Sequence, residues 1–492
     1  MRLYLLIIGI VALLFLTACN TSENEVEYLT PETLYDILNI SNARRHAITP
    51  PDEYRIAQFT QGLEPVPPEV IERISSTNTQ SPDYLPTDML RCDIFCFFYA
   101  LRGYAMYIYF GGDDVFHPIR EEILQTLDTR AYWYINEFVD LVRASISPAM
   151  EDGHSHFGGA TWPSIFLPEY LFFTYDGRFH IDDKGIANQL TGLHVQAISL
   201  PCRPNLVFDV QNSFRLSMCE SGDVFFYALV IPVRHNIDYA VPENIKITYA
   251  DSSGAITIEY VTLDLVTTQW IPWDDAPVLE WVQGVPIITL TGWGPPWRQN
   301  ARQFVGYAEE LRDEPVIIVD LRSNMGGDNA TVRTWFHRLL RGELVEPMYA
   351  HLITEMHVLL AMNGMETDFG VYQIRDRQSD YRVVPSNRLL IVLVDRFSAS
   401  ATEDFVVHTL AVKNTLIIGQ NTAGMLLSHG DSTRSLRYSG VTFNASGAGF
   451  IFPYGLFTEG IGFAPDIWVT GDALAATLGM LEHHLYQMVE MP

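Results

Sequence analysis

The chain opens on an apolar run, residues 3–16, preceded by Arg2 and followed at 20–27 by a polar, acidic stretch. Fourteen residues suit the hydrophobic segment of an export signal and fall short of the roughly 20 that a membrane-spanning helix needs. Seven prolines between 50 and 86 predict extended, loop-rich chain. From about 89 to 146 the apolar positions take a helical period, with amphipathic runs at 120–127 and 132–142. A polar loop at 151–156 and a strand-like stretch at 165–175 follow. Between 190 and 285 apolar and polar residues alternate, as at 245–249 and 256–266, with turn residues at 251–254 between them. From 286 onward short apolar runs at 287–290, 316–320, 389–394 and 416–418 alternate with helical segments near 304–311 and 401–412. Strands apolar along their whole length must be covered on both faces, so this last part is an α/β core. The pattern divides the chain into an export signal (1–18), a tether and proline-rich segment (19–86), a helical domain with a polar loop (87–185), a β-rich middle domain (190–285) and the α/β core (286–480).

The 492 residues hold enough apolar material for two or three cores. A net charge of −28 argues against nucleic acid or anionic lipid as the main ligand. Residues 16–19 read Leu-Thr-Ala-Cys, which resembles the lipobox of bacterial lipoproteins. That resemblance implies cleavage before Cys19 and a diacylglyceryl group on its sulfur, a two-chain anchor that holds stably to a membrane. No later apolar run reaches spanning length, so the expectation is a protein tethered to a membrane surface on the extracytoplasmic side. Four cysteines remain, Cys92, Cys96, Cys202 and Cys219, with three possible pairings. None sits in a zinc-knuckle pattern, and Cys92 and Cys96, one helical turn apart, suit a helix core equally.

The chemistry concentrates in the core. Residues 394–403 read Val-Asp-Arg-Phe-Ser-Ala-Ser-Ala-Thr-Glu, running from a buried strand into a helix. Ser400 there stands among free N–H groups and a favourable dipole, a place that stabilises an oxyanion. Ser400-x-x-Glu403 is also a capping box, worth about 1 kcal/mol to the helix. A second motif weighs against a cap alone. A buried strand ends in Asp320-Leu-Arg322-Ser-Asn324-Met-Gly326-Gly327, whose paired glycines let backbone approach a ligand closely. A third element, Gly419-Gln-Asn-Thr422-Ala-Gly424, follows. In order and spacing residues 286–469 resemble the tail-specific (C-terminal-processing) protease superfamily, which implies a crotonase-like ββα core and a serine endopeptidase with Ser400 as nucleophile.

The branch of that superfamily with a Ser–Lys dyad carries a lysine directly after the Thr-x-Gly element. Here Met425 stands there, and methionine accepts no proton; Lys413, in the turn after the helix, is a poor substitute. The histidine-using branch, which includes the tricorn core protease, has counterparts in Asp152-Gly153-His154-Ser155 and Glu459-Gly-Ile-Gly-Phe-Ala-Pro-Asp466. The resemblance implies His154 as general base, with His156 as the alternative, and Glu459 as the third member that orients the imidazole. It places the oxyanion hole on the backbone N–H groups of Ala401 and Gly326, with Gly327 next in line. No metal or cofactor is implied, since His154-x-His156 lacks a clustered third ligand. Residues 190–285 occupy the position of a PDZ-type module in relatives, yet no carboxylate-binding glycine loop is evident there. The competing reading is a ligand- or peptide-binding protein, as retinoid-binding relatives keep this architecture without proteolysis.

Overall fold

The computed structural model describes residues 31–75, 82–146, 149–150, 152–158, 276–293, 297–356, 371–375, 381–428, 433–460, 462–469 and 472–484, together with the backbone of short strands between 164 and 262. The expected export signal, Cys19, Cys202 and Cys219 lie outside the described residues. Among the described residues no helix is long and apolar enough to cross a membrane.

One eight-stranded sheet organises the chain. Its strands are β1 (Phe179–Asp182), β2 (Gly185–Ile186), β3 (Val278–Val282), β4 (Val285–Thr289), β5 (Val316–Asp320), β6 (Leu389–Val394), β7 (Thr415–Gly419) and β8 (Ile467–Val469). Their spatial order is β3-β4-β5-β6-β7-β8-β1-β2, parallel from β4 to β1 and antiparallel at both edges. Every residue of β5, β6 and β7 is buried, as their continuous apolar runs require.

Alternate side chains of these strands enter two separate layers. Ile317, Val319, Leu390 and Val392 face one layer. There they meet Phe304 of helix α2 (Trp297–Glu310), Trp335 of α3 (Ala330–Leu339) and Phe405 of α4 (Ala401–Leu410). Ile318, Ile391, Leu393 and Ile418 face the other, against Leu34, Ile37 and Leu38 of α1 (Pro31–Ala47) and Leu481 of α5 (Ala473–His484). Each such aliphatic side chain contributes about 1.5–3 kcal/mol by leaving water.

The position of α1 corrects the sequence reading, which assigns residues 19–86 to a tether and an extended proline-rich stretch. From 31 onward this region forms three helices, α1, Glu53–Thr60 and Pro68–Ser75. The prolines mark where helices begin. Pro31 and Pro68 are first residues, where a missing N–H costs nothing, and Pro50 and Pro51 precede Asp52, the N-cap of the second helix. Asp52 Oδ1 accepts the Arg55 N–H at 2.7 Å. Arg45 of α1 is buried and pairs with Asp466 at 3.0 Å, tying this segment to the Pro-Asp end of the last motif.

Helices Thr87–Ala100, Gly112–Leu127 and Ile135–Ile146 bear out the helical period after residue 89. Cys92 and Cys96 are free thiols on the first of them, and Cys96 is buried. The alternating stretches of the middle region pair as an antiparallel hairpin, Asn244–Ala250 with Ile256–Thr262. The polar loop leads into His156–Phe157, which pairs antiparallel with residues 443–444 of the core. That pairing, in a separate three-stranded sheet, anchors the chain directly after residues 152–155.

Candidate active site

The Ser400 segment is built on the end of β6. Asp395 is held by its own turn and by the glycine motif: Oδ1 accepts from the Phe397 and Ser323 N–H groups, each at 2.9 Å. The Ala399 N–H donates to the Asn324 carbonyl at 3.0 Å, so the glycine motif and the serine motif are bound to one another. Ser400 follows with φ 55° and ψ −117°, a left-handed conformation that costs a non-glycine residue of order 1–3 kcal/mol.

Glu403 holds that conformation. It is fully buried, and its Oε2 accepts the Ser400 N–H at 3.0 Å and the Met425 N–H at 2.7 Å. Its Oε1 accepts the Thr422 hydroxyl at 2.6 Å and the Gly424 N–H at 2.8 Å. Burial pushes this carboxyl up to about 7, and the four donors pull the other way. The capping-box spacing finds Glu403, but not its grip on residues 422–425.

The Ser400 hydroxyl lies 3.1 Å from His154 Nε2. The loop that brings His154 there is shaped by Asp152, whose buried Oδ1 accepts the His154 N–H (2.9 Å), the Ser155 N–H (2.8 Å) and the Ser428 hydroxyl (2.6 Å). Asn444 Nδ2 donates to the His154 carbonyl at 2.8 Å. His156 sits instead in the strand pairing with Asn444. Burial first, then the charge of Arg143, lowers its pKa. Lys413 donates its N–H to the Val384 carbonyl in the turn after α4. Met425 is buried, with its side chain against Gly153.

Glu459 joins the site differently from the expected third triad member. Its Oε1 accepts the Gly153 N–H at 2.7 Å, and its Oε2 accepts those of Leu426 at 3.1 Å and Leu427 at 2.8 Å. None of its hydrogen bonds among the described residues goes to the imidazole; its oxygens accept from backbone N–H groups. It grips the loop of His154 one residue before the histidine. Burial and then the neighbouring charge of Asp152 push Glu459 up to about 8, against the pull of its N–H donors.

The oxyanion donors also need revision. The Gly326 N–H is occupied, donating to Asn324 Oδ1 at 3.0 Å, while Asn324 Nδ2 is fixed on the Leu290 carbonyl at 2.8 Å. Gly326 is glycine for a different reason. With φ +99°, a Cβ there would lie 2.7 Å from Ser400 Cβ and 3.0 Å from the Ala401 nitrogen. Gly327, at φ +142°, has an N–H without an acceptor among the described residues, and Ala401 is the first residue of α4, where N–H groups lack intrahelical partners. Arg322 turns back onto Asp320 at 2.7 Å and reaches Asp472 at 2.8 Å, so the Asp-Leu-Arg portion of the motif is structural. Among the described residues no three His, Cys, Asp or Glu side chains gather as metal ligands.

A serine at a strand-to-helix turn, beside free N–H groups and within hydrogen-bonding reach of an imidazole, defines a serine hydrolase. Residues 284–469 match the model of peptidase family S41, and this core is that of a serine-type peptidase. Among solved structures, mature CPAF complexed with lactacystin is 14% identical, with 82% of this chain and 99% of that chain covered at a TM-score of 0.45. The photosystem II D1 C-terminal processing protease is 16% identical, covering 77% of this chain and 92% of that one at 0.35. A putative S41 protease from Bacteroides fragilis is 11% identical, covering 68% and 87% at 0.30. At these TM-scores the likeness assigns no role to any residue here. No curated protein matches the chain.

Proposed function

We propose that the protein is an endopeptidase that cleaves protein or peptide substrates through an acyl-enzyme on Ser400, with His154 as general base. The observation that carries this reading is the 3.1 Å approach of His154 Nε2 to the Ser400 hydroxyl across two regions of the fold. Nε2 takes the hydroxyl proton as Oγ attacks the scissile carbonyl, then returns it to the leaving amine. Water, activated by the same nitrogen, releases the acyl group. The N–H groups of Ala401 and Gly327 receive the oxyanion, and loss of one such donor costs about 3 kcal/mol of transition-state stabilisation. Glu459 and Asp152 hold the His154 loop, and the negative charge that Glu459 gains above about pH 8 favours the imidazolium that forms.

The Leu-Thr-Ala-Cys19 sequence supports an exported protein held by a lipid on Cys19 at the extracytoplasmic face of a bacterial membrane. Ser400→Ala abolishes covalent labelling by a fluorophosphonate probe and hydrolysis of casein while the circular dichroism spectrum is kept. Turnover by purified Ser400→Ala protein removes the nucleophile assignment. Cys19→Ser protein partitions into the aqueous phase of a detergent extraction and lacks the diacylglyceryl mass; an unchanged lipid mass refutes the anchor.

A further inference from the structure

Residues 425–428 form a seat for the loop that carries His154. Ser428 donates its hydroxyl to Asp152 Oδ1 at 2.6 Å, on the oxygen that also caps the His154 N–H. The Leu426 and Leu427 N–H groups share the Glu459 carboxylate with the Gly153 N–H. At the front of the seat, Met425 fills the space beneath Gly153. A Cβ added to Gly153 would lie 2.3 Å from Met425 Cγ, 2.7 Å from Cε and 2.8 Å from Cβ. These are stem atoms as well as the tip, so rotation of the methionine alone does not clear them. Gly153 is absent from the residues with positive φ, so space and not backbone conformation demands glycine there. On its other side Met425 donates its N–H to Glu403 Oε2, the oxygen that also accepts the Ser400 N–H. One residue is therefore tied through its backbone to the nucleophile's clamp and through its side chain to the base's loop.

We infer that Met425 is a positioning residue: its side chain sets the height of the His154 loop over Ser400, and the missing Cβ of Gly153 is its complement. The inference rests on His154 being the base. A side chain too large at 153, or too small at 425, moves Nε2 away from a hydroxyl that it meets at 3.1 Å. A displacement of about 1 Å costs on the order of 100-fold in rate.

The test uses the full-length protein and the rate at which a fluorophosphonate labels Ser400, resolved into a maximal rate and a half-saturating concentration. Gly153→Ala lowers the maximal rate about 100-fold and leaves the half-saturating concentration nearly unchanged. Adding Met425→Ala to Gly153→Ala restores about 10-fold of that loss, because the Cγ and Cε contacts disappear and only the Cβ contact remains. Met425→Ala alone slows labelling about 10-fold by leaving the loop unsupported. Wild-type labelling by Gly153→Ala, or a double variant no faster than Gly153→Ala, overturns the inference. If Gly153→Ala does not fold, as judged by circular dichroism, Met425→Ala decides: an unchanged maximal rate overturns the inference. His154→Ala separates the two layers of the argument, since undiminished labelling there removes the base itself, whatever the packing at 153 and 425 does.

Discussion

Ser400 stands in a region whose backbone is fixed by buried hydrogen bonds, whereas His154 is delivered by a region held chiefly by aromatic packing. Around Ser400, the carboxylates of Glu403 and Asp395 collect N–H groups from three separate motifs. Behind His154, Phe157 packs on Phe97 with ring centres 4.9 Å apart and on Phe138 at 5.8 Å. The ion pairs of that helical region are exposed, as in Arg91–Asp128 and Arg102–Glu64. A hydrogen-bonded clamp fixes geometry to a fraction of an ångström. Ring packing fixes a docking position less sharply, and the seat at 425–428 supplies what the rings do not. On the proposed mechanism the chemistry depends on a seam between two kinds of order, which sets how each side should fail.

The largest effect falls on the pair that spans the seam. Ser400→Ala and His154→Ala should each reduce kcat/KM by about 10⁴-fold or more, and the double variant should lose no more than either alone. Losses that add in the double variant would mean that the two residues do not act as a unit.

Next comes Arg45, which binds α1 to the core. Its partner Asp466 is nearly buried, so Arg45→Ala leaves a desolvated charge unpaired and should cost about 3–5 kcal/mol, read as a lower urea midpoint. A cost below about 1 kcal/mol would show that α1 is only loosely attached.

A smaller, pH-dependent effect comes from the two clamping carboxyls. Burial raises Glu459 to about 8 and Glu403 to about 7, above the roughly 4.3 of an unfolded glutamate. The folded protein then binds more protons than the unfolded chain between those values, so their contribution to stability is full at acid pH and is lost as pH rises through about 7 to 8. Activity should run the opposite way. A protonated carboxyl gives up an acceptor position to its N–H donors and loosens Ser400 or Gly153. Melting curves and kcat/KM between about pH 5 and 9 should show Tm falling while the rate rises, and Glu459→Gln should flatten the fall in Tm. A wild-type decline in Tm unaltered in Glu459→Gln would assign it to other groups.

The smallest effect is expected on the outer face of the helical region. Arg91 and Asp128 are both substantially exposed, so Arg91→Ala should change stability by no more than about 1 kcal/mol in the same urea titration. A loss as large as that at Arg45 would erase the contrast between the two regions.

Sequence by itself determined the α/β core, because the length of a strand buried on both faces must be apolar, and 316–319 and 389–394 are. It also brought out Ser400 and Glu403, whose capping relation spans only three residues, and it singled out His154 through the absence of a lysine at 425. Tertiary structure decided the rest. The proline count of residues 50–86 does not distinguish an extended chain from a series of helix starts, since that depends on whether an apolar face finds a partner; α1 finds one in the sheet. Asn324 Oδ1 takes the Gly326 N–H, an outcome set by the neighbouring Leu290 carbonyl that anchors the amide. Glu459 meets Gly153 across 306 residues of chain. Local patterns record contacts made within a turn or a strand. Which buried donor a carboxylate collects across hundreds of residues is settled only when the surfaces carrying them dock.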